Sequence, residues 1–584
     1  MRNAILCFAL LLSYLSGAAE LPPKILAFAE RDSALYKAGE KIRFKVWMFQ
    51  PESKDFTDPE PDKMRIITGE KIHWEIIGDG KPQKKGTLTT TTEPVVIETS
   101  LDRPGFVMLK LVWDKKVKNR PLVRWAGAGV EPEKIVSGTG MPADFEVYWQ
   151  KRISEMRSRK AQITVREAPE MLAEQEKKLA KAYDVRIEDG VINATGVLTV
   201  PLYPGRRQMP VIISFGGASW IGARARVSEA VARNAMIFHM NIHDTKNRVT
   251  RKEIGEFRRT PEISAYALKD LQEMDKYRPG KVFLRIVRCL DYLKTRPEWD
   301  RKNLIATGPS FGGCQSIVAA ALDKDVTLCF PGGPAMCDHL GYRNNQADGW
   351  PKLLSQRAYK TSPQVQAKAE KHSAYFDAAN MARLIKCPTV FAVGFIDTTC
   401  HPTSVYAAYN NVPHKNKSII NATRAAHGGS YKRGEPGAFS ATNNPLYLEA
   451  CNGREMLRNG SFRYITGKNN APYFWDSRQK SKLTVKGDPE KDSTYLEIPA
   501  NGCAMQSIRN IRKMTGRAVL TGRIRGTGKV TFRLSGNRNG ITVDINSGKW
   551  QEFKQTIDLS SGEMQTFEIT SKGKVDVTKL SLQY

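Results

Sequence analysis

The sequence predicts three folded regions, in which a doubly wound, mostly parallel α/β sheet lies between two β-sandwiches. Near both ends of the chain, short runs such as "KIRFKVWMF" and "GKVTFRLSG" alternate apolar and polar residues, which is typical of half-buried strands. In the middle, continuous apolar runs such as "MPVIISFGG" and "CPTVFAVGF" alternate with helical segments, which is typical of a parallel sheet buried on both faces. A chain of 584 residues also exceeds what one hydrophobic core can organise.

The first residues predict a secretory signal peptide over residues 1–19. Arg2 precedes an apolar run from Ala4 to Leu15, and small residues follow at Gly17 and Ala19, as a cleavage site requires. An uncleaved membrane anchor is the alternative, but the apolar run is short for a bilayer span. We therefore expect a secreted or periplasmic protein with no stable membrane insertion. The eight cysteines that remain are scattered, so any disulfides should be accessory.

The order of patterns along the chain predicts the domain boundaries. Residues 20–130 contain several alternating strands and should form an Ig-like β-sandwich. The glycine-rich, polar stretch "GAGVEPEKIVSGTG" then reads as a linker. Residues 140–450 carry the α/β alternation. Residues 451–584 return to alternating strands and predict a second β-sandwich of the jelly-roll type, for which carbohydrate binding is one expectation.

The formal net charge of +30 favours polyanionic partners. For an exported protein, acidic or sulfated polysaccharides suit this charge better than nucleic acid does. Between Arg509 and Arg538 there are nine basic residues and no acidic one. Two interpretations stay open for this run: a solvated strand face, or a docking face for a polyanionic polymer.

The stretch "NLIATGPSFGGCQSIVAAALD" places Ser310 between an apolar strand and an Ala-rich helix. A Gly-x-Ser-x-Gly pattern alone is weak evidence, because it arises often by chance in glycine-rich chains. In the strand-turn-helix context, however, it predicts the sharp turn that exposes a nucleophilic serine. Gly308, Gly312 and Gly313 leave room for that turn and for close packing of the strand against the helix.

Two further residues complete a predicted catalytic triad. The apolar strand "CPTVFAVGF" leads to Asp397, 87 residues after Ser310, and a later strand leads to His427, 30 residues further on. The chain order Ser, Asp, His, with each residue beyond the end of a strand, is that of α/β hydrolases. The backbone N–H groups of Phe311 and Gly217 are the expected oxyanion donors. We expect no metal or organic cofactor.

Other histidines offer competing interpretations. His239 and His243 are four residues apart at the end of a strand, and Asp244 follows directly. A metal site is one interpretation of them, and a packed or hydrogen-bonded pair is the one that we favour. His401 is a rival for the general base, but it follows Asp397 by only four residues, too closely to face it correctly.

The sequence resembles the acetyl xylan esterase and cephalosporin C deacetylase family of carbohydrate esterases over about residues 140–450. The segments that carry the resemblance are "MPADFEVYW", "GPSFGG", "YFDAANMARLIKCPTVFAVGFIDTTCHPTSVYAAYN" and "AAHGG". The resemblance implies that Ser310, Asp397 and His427 are the nucleophile, orienting acid and general base. It also implies an acetylated polysaccharide or oligosaccharide as the substrate. Because members of that family often form hexameric rings, a homo-oligomer is a further expectation, although the flanking β domains would obstruct such packing.

Three departures from the family pattern concern the surroundings of the triad. Phe311 stands where the family usually has Gln, and Gly217 stands where it usually has Tyr. An Arg-Gly-Gln motif is replaced by residues around Ile242 to Asp244. The triad survives all three changes.

We therefore predict a serine esterase that removes acetyl or other small acyl groups through an acyl-enzyme. A peptidase-like α/β hydrolase and a non-catalytic polysaccharide-binding protein with a decayed hydrolase core are the alternatives. The charged segment from Thr245 to Gly280 is a candidate lid.

Overall fold

The computed structural model describes most of the chain beyond the predicted signal peptide, which lies outside the described residues. The described ranges are 21–52, 58–59, 64–117, 119–203, 208–452, 455–459, 462–466, 471–477, 483–489, 491–509, 516–535, 540–559 and 564–583. Within these ranges, no helix combines the length and the apolar character that a membrane crossing demands.

The first nine strands form two sheets that share one core. Their bounds are β1 Lys24–Ala29, β2 Leu35–Tyr36, β3 Ile42–Gln50, β4 Arg65–Ile66, β5 Lys71–Gly78, β6 Lys81–Thr89, β7 Val95–Thr99, β8 Gly105–Val117 and β9 Arg120–Val130. One sheet contains β1, β3, β4 and β7, and the other has the order β2-β9-β8-β5-β6. Phe44 of the first sheet and Leu109 of the second are fully buried in one apolar cluster, which continues into the middle region of the chain.

The middle of the chain forms a nine-stranded sheet. Its strands are β10 Gln162–Glu167, β11 Ala180–Glu188, β12 Ala194–Pro201, β13 Met209–Phe215, β14 Met236–Asn241, β15 Trp299–Pro309, β16 Leu328–Gly332, β17 Thr389–Gly394 and β18 Lys417–Ala422. The order is β10-β11-β12-β14-β13-β15-β16-β17-β18, antiparallel up to the β12–β14 pair and parallel beyond it. This is the α/β-hydrolase arrangement, and the predicted fold class is confirmed.

Helices cover both faces of this sheet. Their bounds are α1 Phe145–Ser158, α2 Val227–Arg233, α3 Arg251–Phe257, α4 Arg278–Lys294, α5 Phe311–Leu322, α6 Pro363–Ser373, α7 Ala378–Ala382, α8 Pro402–Asn411 and α9 Pro445–Asn452. On β13, Val211 and Ile213 belong to one buried cluster while Ile212 belongs to another. Because successive side chains of a strand point to opposite faces, both faces are buried, which explains the continuous apolar runs.

The last nine strands fold around a separate apolar core. They are β19 Ile465–Thr466, β20 Ala471–Pro472, β21 Thr484–Lys486, β22 Tyr495–Ile498, β23 Cys503–Arg509, β24 Gly516–Leu534, β25 Ile541–Leu559, β26 Met564–Ser571 and β27 Val575–Gln583. The long strand β24 pairs with β25 along its length, and with both β26 and β27 on its other side. The C-terminal region contacts the α/β region where Tyr464 Oη accepts a hydrogen bond from the backbone N–H of Tyr203 at 3.2 Å.

Five of the nine basic residues of the C-terminal run lie on β24, and each of these five pairs with a carboxylate on a neighbouring strand. The pairs are Arg517–Asp558 at 3.6 Å, Arg523–Glu552 at 3.9 Å, Arg525–Asp576 at 2.8 Å, Lys529–Asp544 at 3.8 Å and Arg533–Glu568 at 2.8 Å. The acidic partners come from strands that follow the run in sequence. Among the described residues this pairing favours the solvated strand face over a docking face for a polyanion.

Candidate active site

Ser310 lies on the sharp turn between β15 and α5. Its backbone has φ 58° and ψ −122°, a strained conformation that a non-glycine residue keeps only where the surrounding structure enforces it. The backbone N–H of Ser310 donates to the carbonyl of Gly332 at 2.8 Å. A Cβ on Gly308 or Gly312 would approach the carbonyl oxygen of Phe215 to 2.8 or 2.7 Å. The predicted turn therefore depends on these glycines.

Asp397 and His427 follow the ends of β17 and β18 and meet Ser310 in one chain of polar contacts. Asp397 Oδ2 lies 2.7 Å from His427 Nδ1, and His427 Nε2 lies 3.0 Å from Ser310 Oγ. The second carboxylate oxygen, Oδ1, accepts from the backbone N–H groups of Thr399 and Cys400 at 2.8 and 2.9 Å. Asp397 is fully buried, so its orientation is set by these contacts.

The loop that carries His427 is braced by Glu435, which the sequence analysis did not single out. Its carboxylate accepts from the backbone N–H of Thr423 at 3.0 Å and from that of Arg424 at 3.0 Å. The ring of Phe439 packs edge-on against the imidazole, with the centroids 4.9 Å apart. These contacts position the imidazole from inside its own loop.

The two predicted oxyanion donors flank Ser310. Phe311 is the first residue of α5, so its N–H belongs to the helical turn that has no intrahelical acceptor. A Cβ built on Gly217 would lie 3.9 Å from the Ser310 Cβ. The Nε2 group of Gln315 contacts the carbonyl oxygens of Gly216 and Phe311, each at 3.2 Å, and so connects the Gly217 loop to the helix.

The three departures from the family pattern have structural explanations. The Phe311 side chain is fully buried, with its ring 5.9 Å from Tyr266 and 5.8 Å from Trp350. Trp220 occupies the space beside Gly217, with its Cδ1 atom 3.7 Å from a Cβ built there. Phe311 therefore packs in a buried aromatic cluster, while Trp220 packs beside Gly217.

Where the Arg-Gly-Gln motif is missing, the chain forms polar contacts of another kind. His239 Nδ1 accepts from the backbone N–H of Arg224 at 3.2 Å, and Asp244 accepts from Asn193 at 3.0 Å. Burial lowers the pKa of His239 to about 4 and that of His243 to about 3. The ring of His239 packs edge-on against Trp220 and that of His243 against Tyr266, with centroids 5.5 and 4.9 Å apart.

His401 caps a helix and does not compete with His427. Its Nδ1 atom accepts from the backbone N–H of Thr403 at 3.4 Å, at the start of α8. Burial lowers the pKa of this imidazole to about 3, which keeps it neutral.

A buried thiol lies beside the triad. Cys400 has its sulfur within 4.8 Å of ligand atoms of both Asp397 and His427, an arrangement of the kind that can hold a metal ion. The same imidazole nitrogens, however, contact Asp397 and Ser310. Burial raises the pKa of the Cys400 thiol well above its usual value, and metals bind the thiolate. The chemistry of this donor set therefore does not fit a metal.

The candidate lid packs over the loop that contains Gly217. From this segment, Tyr266 Oη donates to the carbonyl of Ala218 at 3.4 Å and Arg258 donates to that of Ser219 at 3.2 Å. Its function as a lid stays a prediction.

Comparison with known proteins places these features in one family. The acetyl xylan esterase family model matches residues 133–439. The acetyl esterase Axe7A of Xylanibacter ruminicola is 29% identical over 359 residues, which cover 60% of this chain and 77% of that protein.

Two solved structures are also similar. The acetyl xylan esterase from Paenibacillus sp. R4 has 22% identity and a TM-score of 0.44, covering 51% of this chain and 94% of that one. Acetyl xylan esterase 1 from Thermoanaerobacterium sp. JW/SL YS485 has 22% identity and a TM-score of 0.45, covering 55% of this chain and 98% of that one. Because the family match spans more than half of the 584 residues and includes the whole Ser310 centre, the chain belongs to the acetyl xylan esterase family and is a carboxylic ester hydrolase.

Proposed function

We propose that Ser310, His427 and Asp397 hydrolyse acetyl esters on a xylan-type polysaccharide through an acyl-enzyme. One observation carries this proposal: the unbroken contact from Asp397 Oδ2 through His427 to Ser310 Oγ, at 2.7 and 3.0 Å. These distances are within the range that proton transfer between a base and a nucleophile requires.

In the first half of the reaction, His427 Nε2 takes the hydroxyl proton of Ser310 while Oγ attacks the acetyl carbonyl carbon. The carbonyl oxygen becomes an oxyanion, which the N–H groups of Phe311 and Gly217 stabilise. The buried carboxylate of Asp397 stabilises the imidazolium that has formed. The imidazolium then gives its proton to the departing sugar oxygen, and the acetyl group remains on Ser310.

In the second half, a water molecule replaces the sugar. His427 accepts a proton from this water, and the resulting hydroxide attacks the acetyl carbonyl carbon. The bond to Ser310 Oγ breaks, the proton returns from the imidazolium to Oγ, and acetate leaves. Every proton is transferred through one imidazole, so no cofactor enters the scheme.

The substrate class rests on the family, whose description names acetyl xylan esterase, and on the related acetyl esterase. The apolar run after Arg2 supports export to the cell exterior or the periplasm, where a polysaccharide can be reached.

Acetate release from acetylated xylo-oligosaccharides tests the proposal when it is combined with trapping of the intermediate. The mature chain, from Glu20 onward, should release acetate, and an acid quench during turnover should leave one acetyl group on the peptide that contains Ser310. Mass spectrometry of the digested protein locates the group. An acetyl group on the peptide that contains Cys400, or acetate release with p-nitrophenyl acetate but with no acetylated sugar, would contradict the proposal.

A further inference from the structure

The outer face of the C-terminal sheet carries two aromatic side chains around an arginine. Tyr495 of β22 and Trp550 of β25 have ring centroids 5.7 Å apart, at 72° to each other. The Arg525 guanidinium carbon lies 4.7 Å from the Tyr495 centroid and 4.6 Å from that of Trp550. We call Tyr495, Arg525 and Trp550 the aromatic patch.

Strand alternation shows that the aromatic patch faces away from the core. Leu496 and Ile524, the sequence neighbours of Tyr495 and Arg525, are fully buried in the C-terminal apolar cluster. Since adjacent residues of a strand point to opposite faces, Tyr495 and Arg525 point outward. Both aromatic residues are partly exposed to solvent, which makes their ring surfaces reachable.

Arginine and carboxylate side chains surround the two rings. Arg525 Nε donates to Asp576 Oδ2 at 2.8 Å, and 30% of the Arg525 side chain is exposed. In the described part of the chain only its Nε has a hydrogen-bond partner, so the terminal N–H groups are available to a ligand. The Arg523 guanidinium carbon lies 5.9 Å from the Trp550 centroid. The Nε atom of Arg523 lies 3.9 Å from a carboxylate oxygen of Glu552.

We propose that the aromatic patch binds a neutral polysaccharide chain of the xylan type. A pyranose ring offers an apolar C–H face, which suits an aromatic ring, and hydroxyl groups at its rim, which suit Arg525 and the carboxylates beside it. Because the cations of β24 are paired with carboxylates, the surface matches an uncharged chain better than a polyanion. This inference rests on the proposed function, since it assigns the patch to the polymer that carries the acetyl esters.

Binding to insoluble xylan tests the patch separately from catalysis. The full mature chain with Ser310→Ala serves as the parent, so that no ester is cleaved during the measurement. Adding Trp550→Ala should weaken retention by about tenfold, the loss expected for one stacking ring. Tyr342→Ala is the matched control, because it removes an aromatic side chain that is 41% exposed on the α/β domain; its retention should equal that of the parent.

Tyr495→Leu covers the case in which Trp550→Ala unfolds the C-terminal region, since it keeps an apolar side chain but removes the ring. It should also weaken retention. Equal retention of the parent and of both patch variants on xylan would overturn the proposal. The proposal would also fail if the protein were retained only on polygalacturonate and if salt abolished that retention. Acetate release by the wild-type chain is measured separately, so a failure of the proposed esterase does not alter the retention result.

The N-terminal sandwich contacts the loop that carries His427 and the segment that precedes Asp397. Asp58 Oδ2 lies 2.5 Å from Arg124 and 3.8 Å from Arg424. We call these three residues the Asp58 bridge. The side chains of Asp58, Arg124 and Arg424 are only 5%, 11% and 17% exposed, so solvent screens their attraction weakly.

The Asp58 bridge holds the loop of His427 at two points. Arg424 comes three residues before His427, and its guanidinium carbon lies 3.8 Å from the ring centroid of Phe28 in the sandwich. Tyr431 comes four residues after His427, and the Arg124 guanidinium carbon lies 3.8 Å from its ring centroid. The backbone N–H of Asp58 also donates to the carbonyl of Tyr431 at 2.7 Å.

The sandwich also supports the segment that precedes Asp397. The rings of Phe106 and Phe395 meet edge-on with centroids 5.0 Å apart. A Cβ on Gly127 would lie 2.3 Å from the carbonyl oxygen of Phe395, so the two backbones approach as closely as glycine allows. The acid and the base of the proposed triad are therefore both supported by the sandwich.

We infer that the Asp58 bridge positions His427 for catalysis, which gives the N-terminal sandwich a direct part in the proposed reaction. The bridge residues touch neither substrate nor Ser310, so they are positioning residues. Displacing a catalytic group by about 1 Å can lower a rate by about a hundredfold. The bridge should therefore affect turnover more than substrate binding.

The test compares Arg124→Ala with Arg43→Ala, which removes another arginine of the same sandwich that pairs with Glu98 at 2.8 Å and is not part of the Asp58 bridge. A serine-directed phosphonate counts the competent sites, and kcat for p-nitrophenyl acetate is expressed per titrated site. Arg124→Ala should lower this kcat by roughly ten- to a hundredfold with little change in KM, whereas Arg43→Ala should not.

Arg124→Lys keeps a cation opposite Asp58 and should recover part of the loss. A lower melting temperature with an unchanged kcat per titrated site would overturn the positioning role and leave only a structural one. Inactivity of the wild-type chain would instead count against the proposed function, so the two failures are distinguishable.

Discussion

Replacing Ser310 with Ala is expected to lower kcat for p-nitrophenyl acetate by about six orders of magnitude, the loss known for removing a nucleophile from a complete triad. Without Oγ, His427 has no hydroxyl to deprotonate, and no acyl-enzyme can form. The proposed oxyanion donors Phe311 and Gly217 remain, so a weak, direct attack by water is the only activity expected to persist. The kcat is measured from initial rates at saturating p-nitrophenyl acetate, with protein free of contaminating esterases.

Ser316→Ala is the control for this substitution. Ser316 lies on the same helix α5, is fully buried, and donates through Oγ to the carbonyl of Gly312 at 2.8 Å. Removing that hydroxyl should leave kcat within about twofold, because alanine suits a helix interior. If Ser310→Ala retained wild-type turnover, another nucleophile would be at work, and Cys400 would be the first to examine.

Much of the fold follows from local patterns in the sequence. The strands β13 and β17 read as continuous apolar runs because the sheet is covered on both faces. The positions of Ser310, Asp397 and His427 could be predicted because each follows a strand of a parallel sheet, and the carboxyl ends of such strands meet at one edge. The order of the three in the chain then distinguishes them from the other serines, aspartates and histidines.

What the sequence did not predict depends on contacts between distant segments. Asp58 lies far in sequence from Arg424, and nothing local to either residue indicates that they meet. Gln315 looks like an ordinary helical residue until its amide is found against Gly216. The basic run of β24 suggested a cationic face because its acidic partners lie on other strands, where pairing depends on register.

The structural effect of the departures from the family pattern also depends on contacts between distant segments. Phe311 in place of Gln indicated changed surroundings of the triad, because this residue directly follows Ser310. The structure turns that side chain into the core beside Tyr266 and Trp350, and Gln315 contacts the loop from one helical turn further on. The Phe311 side chain is therefore part of the packed core.

Replacing Asp397 with Asn is expected to lower kcat by about four orders of magnitude, although the two side chains have the same shape. Oδ1 accepts from the backbone N–H groups of Thr399 and Cys400, so the amide oxygen of Asn must take that position. Its NH2 group then faces His427 Nδ1 and can only donate to it. The ring proton is forced onto Nε2, which can no longer accept the proton of Ser310.

Asp397→Asn is therefore expected to be no more active than Asp397→Ala, which leaves both tautomers of His427 accessible. Asp338→Asn is the matched control: it is a fully buried carboxylate of the same domain, whose pKa burial and the nearby Asp377 raise to about 6. Above that pKa the Asp338 carboxylate carries a buried charge, which the amide of Asn removes. The kcat and the melting temperature of Asp338→Asn at pH 8 should therefore not fall. Turnover by Asp397→Asn within tenfold of wild type, or clearly above that of Asp397→Ala, would mean that the carboxylate does not select the tautomer of His427.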